Sequence, residues 1–362
     1  MFFHFQMLVV FLILVIFHVD VSGFAPLSTT TNQYQTLHQQ AGIGSHLIRN
    51  LAHESSDTNH YRNATTGAHQ TSKLASKVRS VNYHICRKCN YACKFCFHSQ
   101  KNTFLLPLDE AKKGLKLLKH AGMEKINFAG GEPFIHDIYL GELCRYSKEE
   151  LDLAVSIISN GSLVRPYWMK LFGEYVDILG ISIDSFHSET NTAIGRGSNI
   201  KNNHIDQTFR VRDLCSQYNI AFKMNTVVCS LNWEEDMTEF VKKIDPYRWK
   251  VFQVLLLEME NTGLKGELKD ATNLVVTNEQ FWSFIARHED CDCIIPEPNN
   301  LMQNSYLLLD EKMCFMNSSN GSKVAGDSIL HVGVENALKG VDFDENAFIA
   351  RGGVYKWTRL NN

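Results

Sequence analysis

From residue 81 onward, short apolar runs rich in β-branched residues alternate with stretches of helical periodicity. Runs at 81–85, 125–129, 154–159, 176–183, 220–228 and 250–257 predict strands, and 108–121, 144–151, 166–175, 205–218, 234–244 and 278–288 predict helices. In the first helix Ala111, Leu115 and Leu118 recur on one side and Lys112, Lys116 and Lys119 on the other, with Gly122 placed to cap it. Such alternation implies βαβ crossovers and a parallel sheet. Six units predict an α/β fold, a partial (βα)6 TIM-like barrel over 79–260, with site residues on the loops after the strands. The stretch 261–362 is less regular and is expected to cover the ligand site across the barrel mouth rather than fold alone.

The first 23 residues break this pattern. Residues 7–17 (MLVVFLILVIF) are unbroken apolar sequence, and Phe2, Phe3 and Phe5 extend it. The run is shorter than a full membrane span, lacks a basic flank and is apolar all round, which leaves a cleaved signal or a retained anchor. Residues 24–78, rich in Ser, Thr, Asn, Gln and His, read as a polar linker.

Composition narrows the function classes. Of 362 residues 44% are hydrophobic and 21% charged, enough to build a core, and 36 basic against 39 acidic residues argue against direct nucleic-acid binding. There is no repeat and no G-x-x-x-x-G-K-[ST] phosphate loop. Ten cysteines are too dilute for a disulfide scaffold. Six are scattered, but Cys86, Cys89, Cys93 and Cys96 crowd together just after the first strand.

Cys89, Cys93 and Cys96 form C-x3-C-x2-C with Phe95 before the last cysteine. Three thiolates on one loop suit three irons of a [4Fe–4S] cluster, leaving the fourth iron for a small ligand. Structural zinc and a ferredoxin-like four-cysteine cluster are the alternatives, although neither matches the spacing well. Cys86 is expected to be a core residue.

This motif resembles the radical S-adenosylmethionine (SAM) superfamily. Longer stretches resemble its viperin family: SVNYH from Ser80, CKFCFH from Cys93, AGMEKINF from Ala121, IGRG from Ile194, RWKVFQ from Arg248, SYL from Ser305 and RGG from Arg351. The resemblance implies a [4Fe–4S] cluster and SAM as cofactors, with Gly130, Gly131 and Glu132 of GGEP at the methionine amine. It also implies that Asn160, Ser182 and Arg196 contact the ribose or carboxylate of SAM. Ala129 departs from the serine often found before this motif.

The resemblance further implies CTP as substrate, with abstraction of the ribose 4′-hydrogen and loss of the 3′-hydroxyl to give 3′-deoxy-3′,4′-didehydro-CTP, an antiviral chain terminator. Lys125, Lys223, Arg248 and Lys250 are the cations expected at the triphosphate, Arg248 and Lys250 sharing one strand face. Asn82, Asn225, Tyr306 and Lys323 match further nucleotide-site positions, Arg351 a C-terminal lid, and Tyr306 is the candidate hydrogen or proton donor. The N-terminal segment is expected to hold the domain on the cytosolic face of the endoplasmic reticulum or on lipid droplets. The chain ends without the longer tail associated with recruiting cytosolic iron–sulfur assembly proteins, which puts that partnership in doubt. The alternatives are a radical SAM enzyme for another nucleotide or a peptide, and an inactive membrane-tethered scaffold.

Overall fold

In a computed structural model, residues 78–197, 204–319 and 321–359 are described. The predicted strands appear as β1 (Ser80–His84), β2 (Lys125–Ala129), β3 (Ala154–Ser159), β4 (Ile178–Ser182), β5 (Ala221–Val228) and β6 (Arg248–Gln253). They pair in parallel in that order. The crossover helices are α1 (Leu108–His120), α2 (Asp137–Glu149), α3 (Pro166–Phe172), α4 (Ser188–Ile194), α5 (His204–Gln217) and α6 (Thr238–Ile244).

The two faces of the sheet differ in chemistry. Val81, Tyr83, Ile126, Phe128, Val155, Ile157, Leu179, Ile181, Met224, Trp249 and Val251 point to the helices and are buried. They pack with Leu115 and Leu118 of α1, Leu140 and Leu143 of α2, and Trp168 of α3 in one core. Alternation sends the intervening residues to the opposite face. Asn82 aligns with Asn127 and Asn127 with Ser156, while Gly180 aligns with Lys223 and Lys223 with Arg248. One step further on, Ser182 aligns with Asn225 and Asn225 with Lys250. The concave face is therefore polar and cationic where a closed barrel would carry a packed apolar interior.

The C-terminal stretch is more regular than expected. It supplies β7 (Ile294–Glu297), β8 (Leu307–Leu309), β9 (Cys314–Asn317) and β10 (Val324–Ser328), giving a ten-stranded sheet ordered β10-β9-β8-β1-β2-β3-β4-β5-β6-β7. β7 joins β6 and β8 joins β1, both parallel, whereas β9 and β10 run antiparallel. The sheet does not close, because β8 gives its free edge to β9 and not to β7. β7 and β8 escape sequence reading because they are short, and Pro296 is tolerated in β7 because it is an edge strand. Among the described residues, the remaining α-helices are α7 (Asn278–Arg287), α8 (Asn299–Met302), α9 (Ile329–Leu338) and α10 (Glu345–Ala350).

The last segment also departs from expectation. Rather than crossing the mouth, α10 and the residues after it pack at the opposite end of the sheet. Trp357 and Phe348 pack on Ala154, the first residue of β3. Arg359 donates from its backbone to Asp177 Oδ1 at 3.2 Å, just before β4. Aromatic side chains of the tail thus settle on strand starts that the helices leave uncovered. The N-terminal segment 1–23 and the linker up to residue 77 lie outside the described residues; among those described, no helix is long and apolar enough to cross a membrane.

Candidate active site

The cysteine loop leaves β1 and is held from several sides. Gly131 N donates to Cys86 O and Glu132 N to Lys88 O, both at 2.8 Å, while Ala92 N and Lys94 N donate to Gly195 O and Ile194 O. A Cβ on Gly131 would stand 2.2 Å from Lys88 O, so only glycine permits this approach. Behind the loop, Arg87 is buried between Glu260 (3.1 Å) and Glu311 (3.2 Å), and Glu260 also accepts from Ser99 N and Oγ.

Cys89, Cys93 and Cys96 are free, partly accessible thiols, whereas Cys86 is buried, its Sγ beside Lys88 O and Glu132 O. Burial pushes Cys89 up to about 12 and Cys93 to about 11, so without a cation both keep their protons. Iron would displace those protons, as thiolate coordination requires. The donor set fits a cluster held by three cysteines, with Cys86 taken up in packing.

Glu132 is fully buried, and its carboxylate accepts from Phe134 N (3.1 Å), Ser159 Oγ (2.8 Å) and Asn160 N (2.8 Å). Burial raises it to about 7 despite these donors. The carboxylate thereby ties the Gly130–Gly131 turn to the end of β3. Asn160 Nδ2 donates to Asn90 Oδ1 at 2.9 Å, which places Asn160 against the cysteine loop. Arg196, also buried, pairs with Asp184 and lies 5.9 Å from the Phe95 ring centroid. Ser182 ends β4 half-buried, its carbonyl 3.1 Å from His204 Nε2. Phe95, Asn160 and Arg196 are thus gathered around the cysteine loop, with Gly130–Glu132 beside it.

A second group lies deeper, toward the strand starts. Lys125, Lys223, Arg248, Lys250 and Arg351 are all buried. Burial and neighbouring cations lower Lys125 to about 7, and burial lowers Lys223 to about 8. Lys125 Nζ donates to Tyr355 OH at 2.8 Å, and the Arg248 guanidinium sits 4.1 Å from the Tyr355 ring centroid while donating to Gly352 O. Lys250 and the Tyr306 hydroxyl both donate to Glu297, and Arg351 approaches the same carboxylate at 3.4 Å. Burial opposes ionisation of Glu297, but Lys250 and Arg351 hold it down to about 2. Asn82 Oδ1 accepts from Asn127 Nδ2 at 3.0 Å, and Asn225 Oδ1 is buried without a hydrogen-bond partner among the described residues.

Lys323 does not join this group. Its Nζ lies 2.8 Å from His98 Nδ1, and the His98 ring is 4.2 Å from that of His84, so it belongs with the cysteine loop. Sequence reading missed Glu297, Tyr355, the partner of Arg196 at Asp184, and the Arg87 network. Glu297 was hidden in a four-residue run containing proline, and a lone tyrosine near a chain end carries no motif. Buried ion pairs that join distant segments have no spacing to read.

Comparison with known proteins identifies the family. The Radical SAM superfamily model matches residues 83–243. The S-adenosylmethionine-dependent nucleotide dehydratase RSAD2 of Danio rerio is 52% identical over 285 residues, covering 78% of this chain and 79% of that protein. The protein of that name from Oncorhynchus mykiss is 49% identical over 293 residues, covering 80% and 84%. A nucleotide dehydratase from a Thermoplasmatales archaeon is 34% identical over 284 residues, covering 78% and 97%. Among solved structures, anSMEcpe with bound AdoMet and Cp18Cys peptide superposes with a TM-score of 0.57 at 14% identity, covering 74% of this chain and 83% of that one, a likeness of fold alone. With a cysteine loop suited to a cluster, a buried group of cations on the same sheet and relatives of this similarity, the chain belongs to the S-adenosylmethionine-dependent nucleotide dehydratases of the radical SAM superfamily, the viperin family.

Proposed function

We propose that this chain dehydrates CTP to 3′-deoxy-3′,4′-didehydro-CTP. SAM and an iron–sulfur cluster are its cofactors, and when bound they supply the 5′-deoxyadenosyl radical that takes the ribose 4′-hydrogen. The carrying observation is the buried array of Lys125, Lys223, Arg248, Lys250 and Arg351 on the polar sheet face. So many enclosed cations suit a triphosphate gripped by charge-assisted hydrogen bonds. Asn82 and Asn225 lie on the same face and offer amides to the sugar or base, and the tail around Tyr355 keeps water from the floor. Tyr306 is the donor proposed for the late step. Its hydroxyl hydrogen is directed at Glu297 here, so donation to substrate requires that bond to turn over. Anaerobic protein reconstituted with its cluster, given SAM, reductant and each nucleoside triphosphate in turn, tests the reading. CTP should stimulate 5′-deoxyadenosine formation most, and a flat profile across nucleotides defeats it.

The same reading places the domain on the cytosolic face of the endoplasmic reticulum or on lipid droplets, anchored by residues 1–23, where its product would act against viral polymerases. Four N-x-[ST] sequons begin at Asn63, Asn160, Asn317 and Asn320. Asn160 is buried and bonded to Asn90, leaving no room for a glycan, which supports a cytosolic domain. Protease digestion of intact microsomes tests this: a digested domain supports it, and a protected, glycosylated one refutes it.

A further inference from the structure

Glu297 stands apart within the cation array. It ends β7, is wholly enclosed, and takes Lys250, Arg351 and the Tyr306 hydroxyl onto one carboxylate. Lys250 also reaches Tyr306 OH at 3.1 Å, and the Arg351 guanidinium lies 3.6 Å from the Tyr306 ring centroid. The four side chains join β6, β7, the turn before β8 and the tail. If the ligand of these cations is an anion, a fixed negative charge among them opposes its binding.

We infer that Glu297 is a positioning residue that stands in for the bound anion, holding Lys250, Arg351 and Tyr306 in place until a triphosphate takes its share of them. The inference rests on the nucleotide reading above. Without such a stand-in, the cations would repel one another and spread, and a buried ion that loses its partner is strongly penalised. With it, the array is assembled in advance, so binding exchanges one set of charge-assisted bonds for another. The cost is affinity, since incoming phosphate competes with Glu297.

Full-length protein carrying its cluster and SAM is titrated calorimetrically with CTP and with inorganic tripolyphosphate, as wild type, Glu297→Gln and Glu297→Asp. Glu297→Gln should bind both anions roughly tenfold more tightly, yet melt at a lower temperature when neither is present. Glu297→Asp, which keeps the charge, should restore near wild-type affinity. A merely structural role would weaken binding in both variants, and that result overturns the inference, as does unchanged affinity in Glu297→Gln. Wild-type protein that binds neither anion overturns the nucleotide reading along with it.

Discussion

The ammonium of Lys125, at the start of β2, donates to the hydroxyl of Tyr355 at 2.8 Å across 230 residues of sequence. The same ring carries the Arg248 guanidinium on its face. One tail residue therefore holds two of the buried cations.

Replacing Tyr355 by alanine removes both contacts, and the expected outcome is a KM for the nucleotide raised about tenfold or more with SAM binding unchanged. Tyr355→Phe keeps the stacking and loses one hydrogen bond, worth about 1 kcal/mol, so its KM should rise about fivefold. Steady-state kinetics beside SAM titration separates the two, and equal loss of both ligands would mark a folding defect.

Lys125 and Lys223, lowered to about 7 and about 8, are partly neutral in the free protein near physiological pH. A bound triphosphate favours their charged forms, so their values rise on binding and protons are taken up. Nucleotide affinity should accordingly fall as pH rises from about 7 through about 8. Calorimetry in two buffers of different ionisation enthalpy measures the uptake, and identical heats in both would contradict it.

Among the cysteines, Cys86→Ala is expected to keep the iron–sulfur absorbance and SAM cleavage, with a stability loss on the order of 1 kcal/mol from the vacated packing. Alanine at Cys89, Cys93 or Cys96 should abolish both signals. Iron content and visible absorbance of each variant decide the matter; loss of the cluster in Cys86→Ala would make it a ligand.

Arg196→Ala leaves Asp184 buried and unpaired, which should cost roughly 3–5 kcal/mol. Arg196→Lys keeps the charge but loses the planar guanidinium. Its expected signature is a SAM affinity lowered about tenfold with the melting temperature largely kept. Unaltered SAM affinity would confine Arg196 to a structural role.

Much of this was legible in the sequence. The strands from Val81 to Gln253 showed themselves because their outer residues are uniformly apolar and the helices between them amphipathic, and the cysteine spacing pointed to its cluster chemistry. What stayed hidden depends on how the sheet ends. β7 and β8 are too short to show a period, and Glu297 looks like any surface carboxylate until β7 sets it beside Lys250. Lys323, grouped by resemblance with the nucleotide site, packs on His98, a contact made by the fold and not by spacing.

The unclosed edge has a consequence for local motion. No backbone ladder joins β7 to β8, and the Glu297–Tyr306 contact is a side-chain clasp across that gap. The amides of β7 that face the gap should exchange with deuterium sooner than those of β3 and β4, which are flanked on both sides. A molecule that occupies Lys250 and loosens the clasp would quicken that exchange locally even as it stabilises the whole, so the seam can open sideways without the sheet unfolding.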